Sequence, residues 1–122
     1  MKIALFGQYY QNSTAEIVQK VVTFLESNAI TIAFEASFLA SLKEKNIISK
    51  EYETYSNYNN LDSAFKALIS IGGDGTILKA ATFVRDKNIP IIGINAGRLG
   101  FLATIQFENI ETLLQKLLDN DY

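Results

Sequence analysis

The chain has 122 residues, enough for one domain with its own hydrophobic core and too few for two of ordinary size. Hydrophobic residues make up 48% and charged residues 20%, the balance of a soluble globular domain rather than a disordered or membrane-embedded one. The net charge of −2, with cationic residues scattered along the chain, leaves no basic footprint for nucleic acid. The absence of Cys and His removes disulfides, thiol nucleophiles, imidazole bases and the usual zinc ligands.

Ile3 to Phe6 form an apolar run that stops at Gly7, as a buried strand does. The run turns polar too soon for a signal peptide, and no apolar stretch reaches the roughly 18 to 20 residues of a membrane helix. A cytoplasmic protein with no membrane partner is the expectation. After Gln8 to Asn12, Ser13 or Thr14 is placed to cap a helix ending near Asn28, with Ile17, Val21, Val22, Phe24 and Leu25 at roughly helical spacing. Thr31 to Phe34 reads as a second strand and Ser37 to Lys45 as a second helix. Asn46 to Asn60 holds three of the six tyrosines, Tyr52, Tyr55 and Tyr58. It shows neither helical nor strand period, so a surface loop is expected there.

Ala67 to Ile71 is the next strand. It runs into Gly72-Gly73-Asp74-Gly75-Thr76 and then a helical pattern from Thr76 to about Lys87, with Ile77, Ala81 and Val84 on the expected buried face. Pro90 opens a further strand, Ile91 to Ile94, at a position where a missing donor is harmless. A last helix, about Asn109 to Leu118, gathers Ile110, Leu113, Leu114, Leu117 and Leu118 on one face. Strands alternating with helices imply an α/β fold, Rossmann-like, with a mainly parallel sheet flanked by helices. Asp74 is expected to be exposed in a loop at a strand's carboxyl end.

Three glycines within four residues at the end of a strand let the backbone turn sharply and approach a ligand closely. The free amides and positive dipole end of the following helix suit an anion such as phosphate. Asp74 is out of place in a pure phosphate cradle. It suits a site that takes a hydroxyl beside a phosphate, either accepting the hydroxyl proton or holding a metal. The alternative is that Asp74 merely caps the helix and the glycines make a tight turn.

Gly72 to Thr76, followed by Gly93-Ile94-Asn95-Ala96-Gly97-Arg98-Leu99-Gly100-Phe101-Leu102, resembles the two N-terminal signatures of NAD kinases. The first is shared with phosphofructokinases and diacylglycerol-type lipid kinases, and the second is much more particular to NAD kinases. The resemblance implies that residues 1–122 are the N-terminal nucleotide-binding domain of such an enzyme, with a β-rich C-terminal domain outside this chain. It implies transfer of the terminal phosphoryl group of ATP, or in some members polyphosphate, to the 2'-hydroxyl of NAD, with a divalent cation, Mg2+, on the donor. Asp74 takes the place of the general base and of a contact to the adenosine ribose. Gly75 faces NAD through its backbone and Gly73 faces the phosphates. Lys79 stands where a basic side chain helps bind the substrate, although an ordinary solvated lysine fits its helical position equally. Phe101 matches an aromatic packed against adenine, against the alternative of a core ring. Arg98 is left unassigned. The partners implied are NAD and ATP, no protein metal site is expected, and the full-length enzyme is expected to be a homo-oligomer. The isolated domain is expected to be inactive. The rivals are a lipid or sugar kinase of the same superfamily and a nucleotide-binding module without chemistry.

Overall fold

A buried strand begins at the second residue of the chain because Ile3, Ala4, Leu5 and Phe6 lose essentially all contact with solvent. A strand covered on both faces is apolar at every position rather than at alternate ones. The structure is a computed structural model that describes residues 1–8, 12–95 and 109–119. In chain order it contains β1 (Lys2–Gly7), α1 (Asn12–Ser27), β2 (Thr31–Glu35), α2 (Ala36–Glu44), β3 (Glu53–Tyr55), β4 (Phe65–Gly72), α3 (Asp74–Val84), β5 (Ile91–Asn95) and α4 (Ile110–Leu118). The five strands form one sheet in the order β3-β2-β1-β4-β5, and every pairing is parallel. The chain is therefore α/β and Rossmann-like.

The pleat sends alternate residues to opposite faces. Ile3 and Leu5 of β1, Ile32 and Phe34 of β2, and Ala67, Ile69 and Ile71 of β4 point to one core. There they meet α1, α2 and α4 through residues such as Val21, Leu25, Leu42 and Leu114. Ala4, Phe6, Ala33 and Leu68 point to the other, which α3 closes with Ala80, Phe83 and Val84. Deleting one of these buried aliphatic side chains, as in Leu25→Ala, removes about 2–5 kcal/mol of stability.

Five local expectations are corrected. The stretch from Asn46 to Asn60 is not simply a loop, because it contains β3 and a 3-10 turn at Tyr58–Asn60. β3 pairs in parallel with β2 through Ala33, Phe34 and Glu35, and its anchor is Tyr55, buried to 2% exposure. The Tyr55 hydroxyl donates to the Leu5 carbonyl at 3.0 Å, reaching past β2 to β1, and its ring stands edge-on to Phe83. Helix α1 already begins at Asn12, so Ser13 and Thr14 lie inside its first turn and neither precedes it as a cap. Helix α3 spans Asp74 to Val84 rather than Thr76 to Lys87. Its end is set by Arg85, whose φ of 45° cannot continue a right-handed helix. Its buried face is carried by Thr76, Ala80, Phe83 and Val84, whereas Ala81 is exposed, the register having moved with the helix start. Asp74, finally, opens this helix instead of lying in the loop before it.

Beside β3, Glu26 accepts from the Lys50 ammonium at 2.7 Å and from the Tyr52 hydroxyl at 2.9 Å. Those two hydrogen bonds hold the Glu26 carboxyl below its usual range. Partial burial, then Glu26, pushes the Tyr52 phenol up to about 12. Burial, then the Glu35 charge, pushes the Tyr55 phenol up as well. A phenol that holds its proton more tightly in the folded state adds stability that is complete below its unfolded value near 10. That stability is lost as pH rises through the folded value. Thermal unfolding temperatures should thus fall as pH rises from about 10 toward the Tyr52 value of about 12. Tyr52→Phe should make that fall shallower, and an unchanged slope in the variant would show that Tyr52 contributes nothing to it.

Candidate functional site

Three strands end side by side at one edge of the sheet: β1 at Gly7, β4 at Gly72 and β5 at Asn95. Gly7 is the register partner of Ile71, and Gly72 is the register partner of Asn95. The first residue of one sequence signature thus lies beside a residue of the other. From β1 the chain crosses to β2 on one side, and from β4 it crosses to β5 on the other. The carboxyl ends of β1 and β4 therefore flank a topological switch point, the crevice in which open α/β sheets hold ligands.

Gly72 makes the turn from β4 into α3 possible. A Cβ there would stand 2.4 Å from Thr76 Oγ1 and 2.9 Å from Thr76 Cβ, and the backbone φ is +156°. Thr76 is fully buried, and its hydroxyl donates to Gln8 Oε1 at 3.2 Å, tying the first turn of α3 to the segment after β1. Gly7 is equally constrained, since a Cβ would meet the Ile71 carbonyl oxygen at 2.7 Å and the Phe38 ring at 2.8 Å.

Gly73 is the N-cap of α3 and supplies no side-chain cap. Its carbonyl accepts from the Thr76 and Ile77 amides at 3.1 and 3.2 Å. The helix therefore starts two residues earlier than the pattern from Thr76 suggests. Asp74 is its first residue, half-buried, where the positive end of the helix dipole favours a carboxylate. Because Gly73 holds the cap position, Asp74 is not the capping residue. Gly73 and Gly75 differ from Gly7 and Gly72 in one respect: a Cβ at either would find nothing within 4 Å. Nothing in the packing of the described residues requires glycine at these two positions, which leaves the backbone on both sides of Asp74 open among those residues.

A cleft of about 190 Å³ lies next to the turn, between α2 and α3 across the end of β1. Phe6, Gly7 and Gln8 line its floor, Ser37, Phe38 and Ser41 line the α2 side, and Lys79 lines the α3 side. Lys79 is exposed and meets this cleft from the second turn of its helix. The α2 wall is fixed by Glu35, which ends β2 and caps α2 directly. Its carboxylate accepts from the Ser37 and Phe38 amides at 3.1 and 3.0 Å and from the Ser37 hydroxyl at 2.6 and 2.9 Å. Gln8, Ser37 and Ser41 belong to no sequence motif, and no local signal marks them. The strand crossovers bring them together from separate segments.

Phe101 lies outside the described residues, as do Ala96, Gly97, Arg98, Leu99, Gly100 and Leu102. Among the described residues there is no group of three or more carboxylates that would hold a metal ion. No described helix is long and apolar enough to cross a membrane.

A parallel sheet in the order 3-2-1-4-5, with a glycine turn and a carboxylate opening a helix at its carboxyl edge, defines a Rossmann-like domain whose ligand edge lies at the switch point. The ATP-NAD kinase N-terminal domain family matches residues 3–122, and this chain belongs to it. The chain is 52% identical over its whole length to an NAD kinase of Flavobacterium johnsoniae and 54% identical to one of Flavobacterium psychrophilum, covering 42% of each. An NAD kinase of Methanothermobacter thermautotrophicus is 31% identical over the whole chain, which covers 40% of it. The chain thus spans less than half the length of these curated relatives. The crystal structure of yeast NADH kinase complexed with NADH shares the fold, with a TM-score of 0.76 at 16% identity over 99% of this chain and 38% of that one.

The four glycines separate packing from access. Gly72→Ala should destabilise the domain by about 1–3 kcal/mol, the usual cost of overpacking. Gly73→Ala meets no clash and should cost less, below about 1 kcal/mol, from loss of a favourable N-cap residue. Urea unfolding of both variants checks this. Equal destabilisation by the two variants would refute the distinction.

Proposed function

We propose that the enzyme to which this domain belongs transfers the terminal phosphoryl group of ATP, or of polyphosphate, to the 2'-hydroxyl of NAD, giving NADP. The observation that carries this reading is the Gly73-Asp74-Gly75 turn. It sets a carboxylate at a helix N-terminus, with open space over the backbone on both sides, in a chain of the ATP-NAD kinase N-terminal domain family.

In this reading Asp74 contacts the adenosine ribose and accepts the 2'-hydroxyl proton as the new O–P bond forms and the bond to the leaving phosphate breaks. The domain has no His to take that proton instead. Gly75 presents its backbone to NAD, and Gly73 lies along the phosphates. Lys79 supplies positive charge to the substrates, and Phe101 packs on the adenine, where an aromatic face adds on the order of 1 kcal/mol beyond its buried area. A divalent cation, Mg2+, would neutralise charge on the donor; such an ion keeps several waters and binds substrate phosphates, and no residue of this domain is assigned to it. The whole enzyme includes a β-rich C-terminal domain, assembles as a homo-oligomer and works in the cytoplasm, with neither nucleic acid nor membrane as partner.

In the full-length enzyme, Asp74→Asn should lower kcat by about a hundredfold, the low end of what a positioned general base contributes, with a smaller change in the KM for NAD. Near-normal turnover would place the base elsewhere.

Residues 1–122 alone should fold and yet form NADP no faster than background. Their cleft of about 190 Å³ is smaller than the roughly 300–1,000 Å³ that encloses a small-molecule ligand. Phosphoryl transfer depends on alignment as much as on any one group. Incubation with ATP, magnesium and NAD followed by an NADP assay tests this, and turnover like that of an intact enzyme would overturn the need for a second domain.

A further inference from the structure

Asp74 stands between two glycines that contribute no packing of their own. Among the described residues, a Cβ at Gly73 or Gly75 would meet nothing within 4 Å, and glycine has more conformational freedom to lose than any other residue on being held in one geometry. The contact of Gly72 with Thr76 is steric. It sets how closely the two ends of the turn approach and not how far apart they can move. A base must stay within about 2.6–3.2 Å of the group whose proton it takes, and a turn limited on one side only does not hold a carboxylate to that tolerance.

The other limit comes from Gln8, the residue after β1. Its backbone amide donates to the Ile71 carbonyl at 3.4 Å, near the end of β4. Its side-chain Oε1 accepts from the Thr76 hydroxyl at 3.2 Å, in the first turn of α3. One residue thus grips the chain immediately before the glycine turn and immediately after it, and residues 72–75 are the span between the two grips. Thr76 is fully buried, which shields the bond from competing water. Gln8 itself follows Gly7, which lies close against Ile71 and Phe38, so the grip starts from a strand covered on both faces. Resting on the reading of Asp74 as the base of a phosphoryl transfer, we propose that Gln8 is a positioning residue. Its bond to Thr76 holds the glycine turn closed and thereby keeps the Asp74 carboxylate on the acceptor hydroxyl.

The test uses the full-length enzyme. Gln8 is exposed, so Gln8→Leu removes the acceptor and leaves both cores intact. A misplacement of about 1 Å can cost as much as a hundredfold in rate, so kcat should fall about tenfold while the KM for NAD stays within about twofold. Thr76→Val removes the donor at nearly constant shape and should give the same loss. The double variant should be no slower than either single one, since both remove the same bond. Hydrogen exchange supplies a readout that needs no turnover. The Thr76 and Ile77 amides, bonded to the Gly73 carbonyl at 3.1 and 3.2 Å, should exchange about fivefold faster in Gln8→Leu. If that acceleration appears and the parent makes no NADP from any donor, the reaction reading fails and the grip of Gln8 on the turn stands. Unchanged exchange overturns the proposal. A kcat that survives Gln8→Leu in an active enzyme overturns it as well, as do losses that multiply in the double variant, the behaviour of a Gln8 that acts on the substrate directly.

Discussion

The contact between Gly72 and Thr76 governs the rest of the ligand edge. β4 delivers its last residue directly under the first turn of α3, at a distance that leaves no room for a Cβ. That closeness lets a strand become a helix within two residues. Once the turn is that tight, Gly73 becomes the N-cap and Asp74 the first helical residue. The Thr76 hydroxyl reaches across the switch point to Gln8. A wider turn would move Asp74 away from the strand ends and break the link to the β1 side, so one steric constraint fixes the carboxylate, the cleft floor and the helix start together.

This turn is held rigidly because the sheet beneath it is covered on both faces. Strands β1 and β4 are central, and their apolar residues feed two separate cores, α1, α2 and α4 on one side and α3 on the other. Burial on both faces fixes the register, since a one-residue slip would exchange the two faces of every strand. Gly7 and Gly72 are thereby set at the edge, where the Cβ of any other residue would collide with the backbone carbonyl of Ile71 or with Thr76.

The parts of this arrangement visible in the sequence are those encoded by local pattern. Four strands stand out as short apolar runs, and the glycine triplet at the end of β4 marks a backbone a ligand can approach. β3 escaped notice because it has only three residues, with Glu53 and Thr54 exposed and Tyr55 alone buried. Its pairing with β2 follows from a crossover that no local period reports. Asp74 reads as a loop residue when the three glycines are taken as turn, and only the hydrogen bonds to the Gly73 carbonyl show where the helix begins. The same earlier start turns Ala81 away from the buried face. The cleft was invisible for a different reason: Gln8, Ser41 and Lys79 belong to segments joined only by the parallel topology, and serines on a surface helix carry no distinguishing pattern.

The junction of β2 and α2 has no connecting residues, since Glu35 ends the strand and its carboxylate caps the helix that begins at Ala36. One wall of the cleft is thus a rigid continuation of β2, an interior strand of the sheet, with no slack to absorb a change in chain length. Evolution can lengthen the tyrosine-bearing segment around residues 56–60 without disturbing the ligand edge. A single residue added between Glu35 and Ala36 would rotate the helix by about 100° and carry its serines away from the cleft. Exchanging side chains on this helix would leave that wall of the cleft in place, whereas a change in the length of the joint would remove it.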